Sequence, residues 1–246
     1  MASRGCLRSD AISTHFVVGS NLFPVATVAI ERAVRLVSTA RLRDPVLLAL
    51  VDASLADDLA EIEGATSFRL TEQSAAASKF PSGRPHANFV NAAFAYFRPR
   101  ERNRFNGPLR GAWYAALAVE TSVQEVAFHM RRELQRVNDF HATVEYAEMW
   151  ASFAGSFVDL RAVRPAPACL HPDADIGYPA GNQLANETMD AGLNGIIYPS
   201  VRHDSGTCLV ALWPHVVQSV AQGRVLRLRW AGTPDYILEE VVGDDA

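Results

Sequence analysis

A loop, a short strand and a long helix are predicted for residues 104–137, and this stretch most constrains the fold of the 246-residue chain. Glycine and proline mark the loop at Gly107, Pro108 and Gly111. The run Trp113–Val119 is apolar and aromatic, and it has the length of a short buried strand. The sequence therefore predicts a strand that leads the chain from a loop into a helix.

The helix after this strand has both a start signal and a buried face. Thr121 is a suitable N-cap residue, and Gln124 follows three residues later, where a capping box has Glu or Gln. Glu125 and Phe128 lie on the side opposite the apolar face. That face consists of residues at spacings of three and four, namely Val123, Val126, Ala127, Met130, Leu134 and Val137.

Three polar side chains are brought together by this order of elements: Arg104 in the loop, Tyr114 in the strand and Glu125 near the helix start. Arginine binds phosphate or pyrophosphate through a planar fork of donors, so the group is suited to an anion and a sugar. Each residue also has a simpler interpretation. Arg104 could be one of several surface arginines, Tyr114 a core residue, and Glu125 a solvated acid stabilised by the helix dipole.

Composition and charge exclude several classes of protein. A hydrophobic content of 49% and a charged content of 20% are typical of a soluble globular chain. The formal net charge of −4 gives no general reason to expect binding to nucleic acid or to a membrane surface. Cys6, Cys169 and Cys208 are odd in number and far apart, which predicts a reducing cytoplasm rather than a disulfide framework. No signal peptide or membrane-spanning run is predicted.

The whole chain is predicted to form one α+β domain, preceded by a leader. Residues 1–34 form this leader, and the apolar stretch Val25–Ile30 predicts that it is helical. Arg35–Ser38 predicts a short strand. After the central helix, strands are expected at Ala142–Ala147, Ser156–Val163, Gly195–Tyr198, Cys208–Trp213 and Val225–Trp230, with a loop over Pro165–Pro179 and a helix over Gln183–Ala191.

Motifs for metal, serine-hydrolase and dinucleotide-cofactor chemistry are not found. His171, Asp173 and Asp175 cluster in a proline-rich loop, where a solvated turn is the simpler interpretation. Ser200 lacks the flanking glycines of a nucleophile elbow. The chain has no Walker loop and no glycine-rich dinucleotide fingerprint. We therefore predict no metal and no bound cofactor.

Four segments of the sequence resemble motifs of the RES-domain family and occur in the same order as in that family. The family is named for a recurring arginine, glutamate and serine. The likeness covers most of the chain, so a RES domain is expected over residues 35–246. The segments are Arg35-Leu-Val-Ser38, the loop from Arg104-Phe-Asn106 into Trp113-Tyr114, Glu125-Val-Ala-Phe-His129, and Gly195-Ile-Ile-Tyr-Pro-Ser200-Val-Arg202-His203, followed by the closing strand Gly206–Ala211 and Trp213-Pro214.

The resemblance implies a fold like that of the ADP-ribosyltransferases, in which two small sheets and flanking helices surround a cleft for NAD. NAD is then the substrate rather than a cofactor. By motif position, Arg35 and Arg104 would face the NAD phosphates, with Arg69 as the alternative first arginine. The implied catalytic residues are Glu125, Arg35, Arg104 and Ser200, and the implied substrate-binding residues are Tyr114, Asn106 and Arg69.

The activity that the resemblance implies is cleavage of the nicotinamide–ribose bond of NAD, by water or by phosphate. Glu125 would stabilise the oxocarbenium-like transition state of that cleavage. The protein would act as the toxin of a bacterial toxin–antitoxin pair, and a helical, DNA-binding antitoxin would cover the cleft. Transfer of ADP-ribose to a protein, a non-catalytic binding role and a homodimer remain open; the intact Arg, Glu and Ser set argues against the non-catalytic role.

Overall fold

Eight strands and three helices make up the part of the chain that this computed structural model describes, which is residues 7–18, 21–39, 86–95, 102–108 and 110–241. The predicted α+β class is confirmed. The strands are β1 (Leu7–Val18), β2 (Asn21–Ser38), β3 (Trp113–Ala116), β4 (His141–Asp159), β5 (Gly195–Pro199), β6 (Thr207–Ala211), β7 (Val217–Ala231) and β8 (Tyr236–Val241). The helices are α1 (Ala87–Ala95), α2 (Val119–Val137) and α3 (Ala174–Asp190).

All eight strands join in one sheet, so the expectation of two small sheets is wrong. The strand order is β1-β2-β3-β6-β5-β4-β7-β8, and β2 also pairs with β4. These pairings close a ring of five strands, β2–β3–β6–β5–β4. The ring can close because β4 is 19 residues long and holds two neighbours on one edge, β5 near its end and β7 along its earlier part.

The main core fills the inside of this five-stranded ring. Each of the five strands contributes large side chains that are almost fully buried, among them Ile30, Trp113, Phe153, Ile197 and Leu209. Burial of one such side chain contributes about 1.5–3 kcal/mol. Two further clusters lie outside the ring, where α2 packs on β2 and β7 and where α3 packs on β5 and β6. The ring therefore fixes the positions of both helices.

The described residues of the leader, 7–18 and 21–34, form strands, so the prediction of a helix is wrong for them. β1 and β2 are antiparallel partners, and the proposed boundary between residues 34 and 35 lies inside β2. From Thr27 to Ile30, exposed and buried residues alternate, with Val28 and Ile30 in the core. This period of two is that of a strand. The pairing of β2 with β4 over residues 25–38 determines the outcome.

Helix α2 has most of the predicted face but not the predicted cap. Val123, Ala127 and Leu134 are buried as expected, and Val126 and Met130 are partly buried against the same cluster. Val137, at the end of the helix, is exposed. The helix begins at Val119, however, and no side chain caps it. The Thr121 hydroxyl is instead 2.9 Å from Nδ1 of His203, so the predicted capping box does not form.

Helix α3, with 17 residues, is nearly twice as long as predicted and replaces part of the expected Pro165–Pro179 loop. It begins at Ala174, where the Asp173 carboxylate accepts a hydrogen bond of 2.9 Å from the Asp175 amide. Pro179 lies inside the helix. Proline and glycine are read as helix breakers in a sequence, which explains the late predicted start at Gln183.

Candidate functional site

A cavity of about 520 Å³ lies between α2 and the outer face of β3, β5 and β6. Tyr114, Tyr198 and Cys208 line it, one from each of these strands. Their neighbours along each strand point into the ring core, since side chains alternate across a strand. This volume lies within the range of about 300–1,000 Å³ that is typical of small-molecule sites.

Helix α2 forms one wall of this cavity. Glu125 is half-buried there, so it is not the solvated surface acid of the simpler interpretation. The wall follows helical spacing and consists of Ser122, Glu125, Val126, His129, Met130 and Glu133. The Ser122 hydroxyl donates a 2.7 Å hydrogen bond to the carbonyl oxygen of Val34, which ties this part of the helix to β2.

Ser200 holds the Glu125 carboxylate. Its hydroxyl donates to Oε1 of Glu125 at 2.7 Å, although the two residues are 75 positions apart in the chain. The backbone amides of Arg202 and His203 each donate to the Ser200 hydroxyl at 3.1 Å. The turn after β5 therefore fixes the position of Ser200, and Ser200 fixes the position of the Glu125 carboxylate.

Arg104 is buried, with 8% of its surface exposed. Its NH1 donates to the carbonyl oxygens of Cys169 at 2.6 Å and His171 at 3.0 Å. Two glycines of α3 make room for it. A Cβ on Gly177 would stand 2.8 Å from the Arg104 NH1, and a Cβ on Gly181 would overlap the Arg104 carbonyl oxygen. The arginine therefore belongs to a closely packed loop and not to an open surface.

A second, smaller cavity of about 80 Å³ adjoins the first. Arg104, Tyr178 and Arg202 line only this smaller cavity. The two cavities have five wall residues in common, which are Asn103, Tyr114, Glu125, His129 and Tyr198. Glu125 is therefore accessible from both sides.

Tyr114 and Asn106 hold the arginine loop together. The Tyr114 hydroxyl accepts from the Phe105 amide and donates to Oδ1 of Asn106, both at 2.9 Å. Asn106 in turn donates to the carbonyl oxygen of Arg110 at 3.0 Å. Burial raises the pKa of Tyr114 well above its usual value, so the hydroxyl stays protonated. Both predicted residues line the larger cavity, and both also build the loop that carries Arg104.

Arg35 lines the larger cavity. Its NH1 is 3.5 Å from the Ala112 carbonyl oxygen, and its guanidinium carbon is 5.2 Å from the Trp113 ring centroid. Arg69, the alternative first arginine, lies outside the described residues. The predicted residues Arg35, Asn106, Tyr114 and Glu125 are thus gathered around one cavity, with Arg104 in the adjoining one.

Arg202 is a site residue that sequence reasoning missed. Its guanidinium carbon lies 3.5 Å from the centre of the Phe128 ring, and its NH2 donates to the Pro172 carbonyl oxygen at 2.8 Å. A signal existed in the sequence, because Phe128 shares a helix side with Glu125 and predicts that this side is covered. Arg202, two residues after Ser200, is one of the groups that cover it.

Neither a metal cluster nor a membrane helix is found in the described ranges. In residues 7–18, 21–39, 86–95, 102–108 and 110–241, no three His, Cys, Asp or Glu side chains are grouped to hold a metal ion. No helix within these ranges is both long and apolar enough to cross a membrane. Asp173 of the proline-rich loop is used as a helix cap.

Comparison with known proteins identifies the family. A family model described as the RES domain matches residues 68–231, more than half of the chain; this range includes Arg69 and begins after Arg35. No curated protein matches. Among solved structures, a chain of the M. tuberculosis MbcT–MbcA toxin–antitoxin complex is 12% identical, with 58% of this chain and 80% of that chain covered and a TM-score of 0.35. That likeness is too weak to support an argument, and the family model is what confirms the resemblance. The chain belongs to the RES-domain family.

Proposed function

We propose that this protein consumes NAD by cleaving the nicotinamide–ribose bond, with an active site like that of the ADP-ribosyltransferases. The observation that carries the proposal is the position of Glu125. Its carboxylate lies on the wall that two cavities have in common, and Ser200 holds it at 2.7 Å. Membership of the RES-domain family supports the same reaction.

The proposed chemistry places a carboxylate next to a developing cation. As the bond breaks, its electron pair leaves with the nicotinamide nitrogen, and the ribose carbon takes on oxocarbenium character. A fixed carboxylate stabilises that cation more in the transition state than in the bound substrate, so it accelerates the reaction. No metal is required in this scheme, because nicotinamide is already a good leaving group.

Arginines on both sides of Glu125 are proposed to position the substrate. Arg35 faces the larger cavity and Arg104 faces the smaller one. A pyrophosphate carries two negative charges, and arginine forks bind such groups with directional hydrogen bonds. Anchoring the phosphates would orient the ribose toward Glu125, which lowers the entropic part of the barrier.

The experiment that tests the proposed function is an NAD-depletion assay on purified protein, with and without inorganic phosphate. Loss of NAD only with phosphate supports a phosphorylase, and loss without phosphate supports a hydrolase. Covalent labelling of a protein by ADP-ribose supports the alternative, an ADP-ribosyltransferase. A folded protein that leaves NAD and proteins unchanged in all of these conditions would contradict the enzymatic proposal.

The proposed biological role is that of a cytoplasmic toxin, and its support is the family match. A helical antitoxin with a DNA-binding part would then cover the mouth of the cavities. Growth arrest on expression that depends on Glu125 is the expected result. Growth that is equally affected by the wild type and by Glu125→Gln would contradict a toxin mechanism based on this site.

Replacing Ser200 with alanine should reduce turnover by about ten- to a hundredfold, because hydrogen bonds to charged groups contribute about 1.5–3 kcal/mol. Ser200 acts by positioning Glu125, so we expect kcat to fall and KM for NAD to change little. Steady-state kinetics measures both. Ser205→Gly is a suitable control, because Ser205 is exposed on the same loop and has a φ of 60° that glycine adopts readily. A Ser200→Ala enzyme with unchanged kcat would rule out this positioning role.

A further inference from the structure

The smaller cavity has an excess of positive charge. Arg104 and Arg202 both line it, and Glu125 is the one carboxylate among its described lining residues. Ser200 already engages Oε1 of that carboxylate. The remaining wall consists of asparagine, histidine and tyrosine side chains.

Arg104 has hydrogen-bond partners but no ion-pair partner in the part of the chain that the structure describes. Its hydrogen-bond partners are main-chain carbonyl oxygens, which carry no net charge. Within the described ranges, the ion pairs include neither Arg104 nor Arg202. A charged side chain with 8% exposure is costly to bury unless a counter-charge is present. This arrangement therefore favours an anionic ligand.

Arg202 lines the same cavity as Arg104, and two contacts orient its guanidinium group. The Phe128 ring supports one face of its guanidinium, and the Pro172 carbonyl oxygen fixes NH2. Burial, and secondly the positive charge of Arg104, lower the pKa of Arg202, as is expected for two cations near one void. Both guanidinium groups are thus oriented before any ligand binds, which reduces the entropic cost of binding.

The size of the smaller cavity limits what it can take. A cavity needs a volume of about 10–15 Å³ to hold a single water. The smaller cavity, with a volume of about 80 Å³, therefore admits a tetrahedral oxyanion but not a dinucleotide. We propose that Arg104 and Arg202 form an oxyanion subsite for a phosphate group beside Glu125. The inference deepens the proposed function and rests on it, because it specifies what the smaller of the two cavities binds. The phosphate group can come from the nucleotide or from inorganic phosphate.

Binding of inorganic phosphate, measured by calorimetry at constant ionic strength, tests the subsite without any turnover. Arg202→Gln should weaken phosphate binding by about tenfold or more, because charge-assisted arginine–phosphate bonds are lost. Arg202→Lys keeps the charge and should lose less. Arg132→Gln is the matched control. The guanidinium carbon of Arg132 also lies over Phe128, 5.8 Å from the ring centroid, but Arg132 is not among the residues that line the smaller cavity. Equal phosphate affinity in the wild type and in folded Arg202→Gln would overturn the subsite, as would no binding by the wild type.

Adding ADP to the same calorimetric experiment distinguishes a phosphate group of the nucleotide from inorganic phosphate. ADP carries a pyrophosphate but no nicotinamide. Displacement of phosphate by ADP assigns the subsite to a nucleotide phosphate. Simultaneous binding of both assigns it to free phosphate next to the nucleotide. Either result supports an oxyanion subsite. Because NAD cleavage is not measured in this experiment, its failure is distinguishable from failure of the proposed reaction.

Discussion

Replacing Glu125 with glutamine is expected to slow NAD consumption by about a hundred- to a thousandfold, the usual cost of removing one fixed electrostatic group from an active site. The amide keeps an oxygen that can accept from Ser200, so the local packing is retained. The negative charge that would stabilise the ribose cation is lost. Because that charge acts mainly on the transition state, NAD affinity should change little. Kinetics and calorimetric NAD binding on the same preparation measure the two effects.

A matched control for this variant lies in the same helix. Glu120→Gln removes a carboxylate from the first turn of α2, but Glu120 is exposed and lines neither of the two cavities. We expect its NAD turnover to match that of the wild type. An equal loss of turnover in both variants would assign the effect to the helix rather than to the site. Equal loss of turnover and NAD binding in Glu125→Gln would assign a structural role to Glu125.

Replacing Gly181 with alanine is expected to lower the free energy of unfolding by about 2 kcal/mol, the net of two opposed effects. Overpacking of a tight contact costs about 3 kcal/mol, and alanine recovers about 1 kcal/mol of helix propensity relative to glycine. The contact is tight because the new methyl group would overlap the Arg104 carbonyl oxygen, and backbone cannot rotate away as a side chain can. Urea unfolding measures the loss.

The same substitution should also reduce NAD turnover, since the loop that carries Arg104 has to move away from α3. Gln183→Ala is the control, because Gln183 is exposed on the same helix and alanine changes its helix propensity only slightly. A Gly181→Ala protein that is more stable than the wild type would show that helix propensity dominates. In that case the close approach of α3 to the Arg104 loop would not exist.

Sequence patterns predicted best the features that depend only on residues close together in the chain. The spacing of Val123, Ala127 and Leu134 places the buried face of α2 correctly. The cap was wrong because Thr121 is bonded to His203, a residue 82 positions away in the chain. Such a long-range partner leaves no trace in the residues around Thr121. Propensity and capping rules hold only where tertiary contacts do not compete with them.

Elements that depend on distant partners were predicted least well. Val25–Ile30 is a short apolar run, and periodicity over six residues does not separate helix from strand. Pairing of β2 with β4 determines the choice. The start of α3 was missed for another reason, because Gly177 and Gly181 resemble loop residues. Their role becomes clear only when the Arg104 loop lies against them.

The candidate site was predicted in part, and the resemblance contributed more than the patterns did. Residue spacing could place Arg104, Tyr114 and Glu125 near one another, but it could not bring Ser200 to Glu125. That contact joins α2 to the turn after β5. Arg202 was missed because a sequence shows which helix side Phe128 occupies but not which residue covers it.

The most direct test of the proposed reaction is to measure nicotinamide release from NAD by proton NMR, using purified wild-type protein and Glu125→Gln in parallel. The proposal predicts one free nicotinamide for each NAD consumed by the wild type, and almost none from Glu125→Gln. NAD that disappears with the nicotinamide still attached to its ribose would contradict the proposal, since another bond would then have been cut. Nicotinamide release at the same rate from both proteins would also contradict it.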